Sequence, residues 1–563
     1  MTFVVALISC DRGFEEMNVA PFSPTGTTTE ALFAGLTSSL QQPSSEMFYL
    51  SNEIFYPESE LGALTSDAWG NSFIGTSATW NNYYFSLANI RDIENRLDTY
   101  CLESQDDEIA DKVRAKLIVI KSFMTFKVTD IFGDVPYSQA GRIWEGSSSE
   151  QNMKPGWDSQ ESIYKALLAE LEWARNILRD NPAQTANGNE YYEMAYEVLF
   201  NNNNTYWAEF ANSLILRHAL RMYDRDPEFS TPLLVEAYDF TYTLISASGG
   251  VATGGGICLW PSLLATSWDI NWSFREHKNL RMGETIWHCL SSNDSLDGSG
   301  IYDYRAFLFF DTNHKTDDYP DGSWRAYPQI RNEQTPTEGG SPYALNRDSN
   351  YTFKGPACIY SPFNFYLTRD ERFVPQILVN YADVLFMKAE IGARGIGGIQ
   401  LNSMELDLMV NQGIYQSCLF WTQMAVNTPR WTYKYPQYLD YIGSLSIWDY
   451  CNNMAANVMN YEVYLNGDFD YSSDAYLKLI IKQRWLNLFR QPWEAWALAR
   501  RTWNTPTTTN YAKLASFRME YPQGEIEYNY ENYTTQLQNM TFGDSRKTPM
   551  WWMTQTSPSG KQY

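Results

Sequence analysis

At 563 residues the chain is long enough for several ordinary domains or for one extended helical-repeat body. Its 66 acidic and 42 basic residues give a formal charge of −24, which argues against binding to nucleic acid or to anionic lipid surfaces. Apolar residues make up 44% of the chain and aromatic residues 16%, including 20 Trp and 39 Tyr, so the aromatic rings fill a large core or line a binding surface.

The chain begins with a short apolar run that ends at Cys10. The run is too short to cross a bilayer, which takes about 20 apolar residues. Residues 7–10, Leu-Ile-Ser-Cys, match the lipobox of bacterial lipoproteins, although no Lys or Arg precedes the apolar run. We therefore expect residues 1–10 to be a signal segment that ends at an acylated Cys10, and residues 11–26 to be a tether. A plain frayed N-terminus is the alternative.

Helical periodicity predicts a scaffold over about residues 27–250. The strongest segment runs from Glu108 to Phe132 and carries apolar residues on two faces, so we expect a helix buried on both sides. The next helix is predicted to begin at a cap on Asp158 and to end before Pro182. Two further helices are predicted at 205–223 and 232–246.

A loop-rich insertion is predicted at about 250–375, where Gly, Asn, Asp and Ser clusters alternate with large aromatic residues. Helices return over about 375–503. There the sequence predicts a helix that includes Leu378 and ends at Gly395, a helix at about 402–425, a helix capped by Ser473 or Asp474, and one that begins at Pro492. Residues 504–563 are predicted to be irregular, and residues 27–563 to form a single domain.

Six stretches in chain order resemble the SusD/RagB family of outer-membrane lipoproteins, in its SusD-like branch. They are FEEMN at 14–18, which follows the lipobox, and then IFGDVPYSQA at 131–140, WAEFANSLILR at 207–217, NYADVLFMKAE at 380–390, QRWLNLF at 483–489 and MEYP at 519–522. The polar residues of these motifs fall on predicted helices, where we expect them to make contacts between helices. We therefore interpret the motifs as fold-maintaining.

The resemblance implies an α-helical fold with four degenerate tetratricopeptide-like helix pairs. It also implies a lipid-anchored protein exposed on the cell surface, where it binds a glycan, or a peptide in some members, and delivers it to a SusC-type TonB-dependent outer-membrane transporter. No enzymatic activity is expected, because no segment singles out a nucleophile, an acid/base pair or a metal site. A hydrolase and a purely structural or adhesive protein are the alternatives from other classes.

Sugar rings stack on indole faces while neighbouring polar groups bind their hydroxyls, so exposed Trp residues are the candidate ligand contacts. Trp69 lies among small polar residues, and its position resembles that of a ligand-stacking Trp in the family. The candidates are Trp69, Asn71, Trp268, Trp272, Trp287 and Trp324. Each of these Trp residues has loop packing as its alternative role.

Residues 293–304 resemble the first half of a calcium loop, but Tyr304 stands where the bidentate Glu belongs. We expect a turn here, with a calcium site at Asn293 and Asp297 as the weaker alternative and no other cofactor. The seven cysteines show no CxxC spacing, so neither a zinc site nor a redox motif is indicated. Disulfides and buried free thiols stay equally open.

Overall fold

The structure is a computed structural model, and the part of the chain that it describes is mainly helical, as the sequence predicts. The described residues are 28–68, 70–104, 107–142, 153–180, 197, 199–200, 202–246, 255–260, 279–313, 318, 322–336, 359–364, 375–426, 445–465, 467, 469–508 and 516–554. Within these ranges, no helix combines the length and the apolar character that crossing a bilayer requires.

Among the described residues, the first half of the scaffold contains seven helical segments. They are α1 (Thr29–Ser39), α2 (Ser44–Glu46, π-helical Met47–Phe55 and Tyr56–Glu58), α3 (Ser72–Ser104), α4 (Asp107–Phe132), α5 (Gln160–Asp180), α6 (Asn204–Met222) and α7 (Pro227–Asp239). From α3 onward each helix packs against the next one in the sequence. This succession agrees with a body built from helix pairs.

The apolar patterns that predicted α4 and α5 are the buried faces of these helices. On α4, Val113 and Leu117 of one face and Ile118 and Phe123 of the other are all buried, which confirms a helix packed on two sides. On α5, the single stripe from Ile163 to Leu178 faces the core. Each fully buried aliphatic side chain contributes about 1.5–3 kcal/mol, so these stripes determine which way each helix faces.

The second half holds the remaining helices. They are α8 (Glu284–His288), α9 (Arg305–Phe309), α10 (Tyr381–Arg394), α11 (Ser403–Val426), α12 (Ile447–Met459, continued by π-helical Asn460–Leu465), α13 (Ser473–Asn487), α14 (Pro492–Thr502), α15 (Gln523–Tyr528) and α16 (Tyr530–Asn539). Helix α10 packs against both α11 and α13, and α11 packs against α12. Gly395 ends α10 in the left-handed conformation at φ 65°, as the sequence predicts.

Five sequence predictions about element boundaries are wrong. The helix predicted at 232–246 is α7, which runs from Pro227 to Asp239 because Asp226 caps its start. Leu378 lies in a strand, because the chain stays extended until Asn380 caps α10. Ser472, one residue before the predicted positions, caps α13. Asp158 does not cap α5, since the Ser159 hydroxyl accepts the hydrogen bond from the Ser162 amide. Residues 504–563 are not irregular throughout, because they contain α15 and α16.

The described part of the chain contains four short strands in two antiparallel pairs. They are β1 (Ala63–Leu64), β2 (Gly256–Leu259), β3 (Leu280–Arg281) and β4 (Gln376–Asn380). Strand β1 pairs with β3 so that Leu64 lies opposite Leu280. Strand β2 pairs with β4, with a bulge between Ile257 and Cys258. Both pairs connect the predicted insertion to the helical scaffold.

Three main apolar cores hold the described molecule together. The first joins α1–α7 to the C-terminal segment, where Trp552 and Met519 are buried. The second joins the insertion to α13 and α14, and the third lies between α10, α11, α12 and α13. Cys258, Cys289, Cys418 and Cys451 are buried free thiols in these cores, as one of the two sequence interpretations had it.

A buried network of charges links the helices that carry the family motifs. Asp383 on α10 accepts from Arg217 on α6 at 2.8 Å and from Arg484 on α13 at 2.7 Å. Glu494 on α14 pairs with Arg221 on α6. These contacts confirm that the motif residues connect helices, as the fold-maintaining interpretation requires.

Candidate functional site

The two-stranded β1–β3 sheet brings two of the predicted ligand-binding segments to the same end. In an antiparallel pair, the end of one strand lies beside the start of its partner. The Thr65 amide donates to the Asn279 carbonyl at 2.9 Å, which extends the pair by one step beyond Leu64 and Leu280. The chain that leaves Thr65 contains Trp69, and the chain that arrives at Asn279 contains Trp268 and Trp272. Both segments are therefore attached at one point.

A third segment, residues 322–336, is fixed to the same end. The Tyr327 amide donates to the Met282 carbonyl at 2.8 Å, past the other end of the two-residue strand β3, so the segment runs alongside the strand pair. The Tyr327 hydroxyl reaches the Thr65 carbonyl at 3.4 Å, and Arg331 forms an ion pair with Asp67. We call the surface formed by residues 65–68, 70–71, 279 and 327–335 the sheet-edge site.

The exposed groups of the sheet-edge site suit a polar ligand with apolar faces. The Asp67 side chain is 91% exposed and its partner Arg331 is 42% exposed, so both keep hydrogen-bonding capacity for a ligand. Ile330 is 50% exposed within the site, and Phe73, just outside the site in the first turn of α3, is 63% exposed. Such a mixture of apolar surface and a few polar groups is typical of small-molecule binding sites.

Of the predicted ligand contacts, Asn71, Trp287 and Trp324 are among the described residues. Asn71 lies at the sheet-edge site, where its carbonyl accepts from the Ile74 amide at 3.0 Å at the start of α3. Trp69, Trp268 and Trp272, like the predicted lipidation site Cys10, lie outside the described residues.

Trp287 and Trp324 pack in the second core. They are 1% and 5% exposed, and their rings stack on each other with centroids 5.8 Å apart at 9°. The edge of Phe307 covers Trp324 at 5.5 Å, and the Trp287 indole donates to Asp294 at 3.0 Å. Because protein covers the faces of both rings, these two residues pack the core. This corrects the prediction that they contact a ligand.

The stretch that resembles half a calcium loop is a closed turn over this Trp pair. The Asn293 side chain accepts from the Ser295 amide at 3.0 Å, and Asp297 accepts from the Ser299 amide at 2.9 Å. Gly298 has a φ of 77°, and a Cβ there would lie 2.7 Å from Trp324. Hydrogen bonds of this local kind are the turn chemistry of Asn and Asp. Among the described residues, no group of three or more His, Cys, Asp and Glu side chains is arranged to hold a metal ion.

Sequence reasoning missed Asp67, Arg331, Ile330 and Phe73. The Asp67–Arg331 pair joins residues 264 positions apart, and no local pattern announces such a contact. Phe73 carries a signal that was available, since it is a large apolar residue in the first turn of a helix, close to Trp69.

The described residues thus form a helical scaffold that is held together by buried charges and carries a loop-built candidate site. A family model described as SusD-like, "Starch-binding associating with outer membrane", matches residues 72–522. The chain therefore belongs to this SusD-like family, as its motifs predicted. The predicted SusD-like α-helical fold is confirmed with it.

Solved structures agree with this assignment. A structure titled "chitin-binding protein" superposes with a TM-score of 0.66 at 15% identity, covering 93% of this chain and 100% of its own. A SusD-like protein from Bacteroidetes gives 0.64 at 18% identity, with 94% and 100% covered. A chitin-binding SusD homologue from Flavobacterium johnsoniae gives 0.60 at 19%, with 94% and 99% covered. No curated protein sequence matches the chain significantly. At these identities the structural likenesses show the fold.

Proposed function

We propose that this protein is a lipid-anchored cell-surface receptor that binds a glycan at the sheet-edge site and delivers it to a SusC-type TonB-dependent transporter. The family itself is one of starch-binding proteins associated with the outer membrane, which supports glycan binding and nutrient uptake in general. The observation that carries the proposal for this chain is the common attachment of the Trp69 segment and the Trp268–Trp272 segment at Thr65 and Asn279. The proposed anchor is Cys10.

In the proposed recognition, indole rings and polar groups bind different parts of the glycan. Trp69, Trp268 and Trp272 stack on sugar rings, by analogy with the roughly 1–3 kcal/mol that stacking of a base on an aromatic ring provides. Asn71, Asp67 and Arg331 hydrogen-bond the hydroxyls. Binding of this kind leaves the glycan unchanged, so the protein acts by binding alone.

Two structural neighbours are titled as chitin-binding, and the family description names starch. We therefore choose chitooligosaccharides and maltooligosaccharides as the first ligands to test. An oligopeptide of mixed sequence serves as the test of the peptide-binding alternative.

Isothermal titration calorimetry on the purified chain and on Trp69→Ala and Trp272→Ala variants tests the site. We expect one of the two oligosaccharides to bind and each substitution to weaken binding at least about 10-fold, since loss of one stacked ring costs about 1–3 kcal/mol. Trp173→Ala is the matched control, because Trp173 is a half-exposed Trp at 36% on α5, which belongs to the scaffold.

Unchanged affinity in both site variants would show that the site lies elsewhere on the molecule. Binding of the peptide and of neither oligosaccharide would support the peptide-binding alternative. Release of shorter sugars would support the hydrolase alternative. Delivery is tested separately by co-purification with a β-barrel transporter from the outer membrane. Failure to co-purify under conditions that keep the lipid anchor would remove the transporter from the proposal.

A further inference from the structure

A cleft of about 400 Å³ lies where the C-terminal segment returns to the helical scaffold. Its walls are the turn after α4, the first turn of α5, Arg225, Arg518 and parts of the chain between 536 and 553. None of these residues belongs to the sheet-edge site. We call this feature the C-terminal cleft, and its volume suits a ligand of one or two sugar rings, since ligand pockets measure about 300–1,000 Å³.

The walls of the C-terminal cleft are held in place by hydrogen bonds within the protein. One oxygen of Asp134 accepts from the Gln160 amide at 2.7 Å, and the other accepts from the Gln536 side chain at 2.8 Å. The Gln160 side chain in turn accepts from the Trp551 amide at 2.9 Å. Because these contacts join α5, α16 and the C-terminal segment, the cleft is formed before a ligand arrives, and binding has less ordering cost.

A buried guanidinium in the wall lacks one partner. Arg518 is 1% exposed and lines the cleft. Its Nε donates to the Phe132 carbonyl at 2.8 Å and its Nη1 to Asp544 at 2.6 Å. Its Nη2 has no acceptor within the described residues. Nη2 is shielded in this structure, so a ligand oxygen would reach it only after a small rotation of the guanidinium. Because a buried donor without an acceptor is unfavourable, such a contact would be stabilising.

The remaining groups favour a neutral ligand with an apolar face. The charged side chains that line the cleft balance each other, with Asp134 and Glu161 against Arg225 and Arg518. Trp551 is half-buried, and Met540 and Met553 add apolar surface. Arg225 and Asn539 are exposed at the rim, where they are available to bind hydroxyls.

We infer that the C-terminal cleft is a second carbohydrate site, which takes a neutral sugar unit against Trp551 with an acceptor oxygen towards Arg518. The inference rests on the proposed function in its choice of a sugar as ligand. It goes beyond that function because a second site on another part of the molecule allows one glycan chain, or two, to be held at two points, which raises the effective concentration at the sheet-edge site.

The test is a titration of N-acetylglucosamine and of glucose followed by saturation-transfer NMR on the full chain. A Trp69→Ala, Trp272→Ala double variant is the background, so that the sheet-edge site does not contribute. We expect a saturable signal from one of the sugars in this background. Adding Trp551→Ala should weaken it at least about 5-fold through loss of ring stacking, and adding Asn539→Ala about 3-fold through loss of one hydrogen bond.

Arg179→Ala is the matched control, because Arg179 is an exposed arginine at the far end of α5 from the cleft. Thermal unfolding of each variant separates loss of binding from loss of folding, and Asn539, being exposed, is replaceable with little effect on stability. No saturable signal in the background variant would overturn the inference, as would a signal that neither Trp551→Ala nor Asn539→Ala weakens.

The two proposals fail in distinguishable ways. Oligosaccharide binding that depends on Trp69, combined with no signal from the C-terminal cleft, would leave the proposed function and remove the second site. A monosaccharide signal that depends on Trp551, combined with no effect of Trp69→Ala on oligosaccharide binding, would leave the second site and displace the first.

Discussion

Asp383 is the centre of the charge network that fixes the scaffold. It is fully buried on α10 and contacts Arg217 and Arg484, which lie on two other helices and are themselves buried. Burial alone would raise the pKa of the Asp383 carboxyl, but the guanidiniums of Arg484 and Arg217 lower it below its usual range. The carboxylate is therefore charged in the folded protein and holds α6, α10 and α13 in one arrangement.

Replacing Asp383 by Asn keeps the size of the side chain and removes its charge. Two buried guanidiniums then lose their carboxylate, and breaking a buried pair in this way costs about 3–5 kcal/mol. We expect urea denaturation to show that loss in the free energy of unfolding of Asp383→Asn. Asp92→Asn is the control, because Asp92 pairs with Arg96 at a half-exposed position and such pairs contribute about 0–1 kcal/mol. Equal effects of the two substitutions would contradict the central role of Asp383.

Glu390 makes the stability of the protein depend on pH. Burial alone would raise the pKa of this carboxyl, but Arg501, Arg394 and Arg484 lower it to about 2 from an ordinary value of 4.5. A carboxyl whose pKa is lowered by folding adds stability above its unfolded pKa, and this contribution is lost as the pH falls towards the folded pKa. Glu390 therefore stabilises the protein fully above about pH 4.5 to 5 and progressively less below.

We expect Glu390→Gln to be less stable than the wild type at pH 6, with a difference that shrinks by about 2 kcal/mol when the pH falls to 3. The reason is that a protonated Glu390 resembles the neutral Gln. Urea denaturation across this pH range measures the difference, and Glu531→Gln, at an exposed position on α16, is the control. A difference that stays constant or grows towards pH 3 would show that Glu390 does not have a lowered pKa.

At the scale of elements, two carboxylates hold together the two ends of the connection between α4 and α5, each by accepting hydrogen bonds from the opposite end. Asp134, in the turn after α4, accepts from the first amide of α5. Asp158, just before α5, accepts from the Tyr137 and Ser138 amides at 2.9 Å each and from the Ser138 hydroxyl at 2.7 Å. Each side of the connection thus accepts hydrogen bonds from the other, which ties the start of α5 to the turn after α4.

Asp158→Ala removes three hydrogen bonds to a charged acceptor, and we expect it to cost about 2 kcal/mol or more of stability. Ser159→Ala removes the single cap on the Ser162 amide and should cost about 1 kcal/mol. Thermal unfolding of both variants compares them directly. A larger loss in Ser159→Ala than in Asp158→Ala would mean that Asp158 does not organise the turn.

The sequence predicted the helices better than their ends, and these neighbouring residues show why. The apolar stripe of α5 is periodic and follows from the sequence alone, whereas Asp158 and Ser159 are both good capping residues in adjacent positions. The choice between them depends on Tyr137 and Ser138, which are some 20 residues away and reach Asp158 only in the folded chain. Leu378 is a similar case, because its strand forms by pairing β4 with the distant β2.

The candidate site shows the same limit of prediction from sequence. Asn71 and its neighbours stay a prediction, which comes from a local signal: a Trp among small polar residues just before a helix. Trp287 and Trp324 carried the same signal of aromatic residues in a loop-rich segment, but the turn at 291–301 closes over them. Whether a loop exposes or covers its aromatic rings depends on contacts across the fold, which composition does not contain.

At the scale of the whole molecule, the C-terminal segment returns to the first helices. The Met519 amide donates to the Ile131 carbonyl at 2.8 Å, and the Trp552 indole donates to Asp130 at 2.9 Å, both on α4. The second half of the chain therefore closes on the first.

The proposed acylation of Cys10 leads to a prediction about membrane attachment. When the protein is expressed with a lipoprotein signal peptide ahead of Cys10, we expect it to fractionate with the outer membrane and to be cleaved by external proteases on intact cells. Cys10→Ala should release it from the membrane, because the proposed acyl chains are attached to this thiol. Ser23→Ala, in the tether, is the control and should stay membrane-bound. If Cys10→Ala stayed with the membrane, then contacts made by the folded body, and not acyl chains, would hold the protein there.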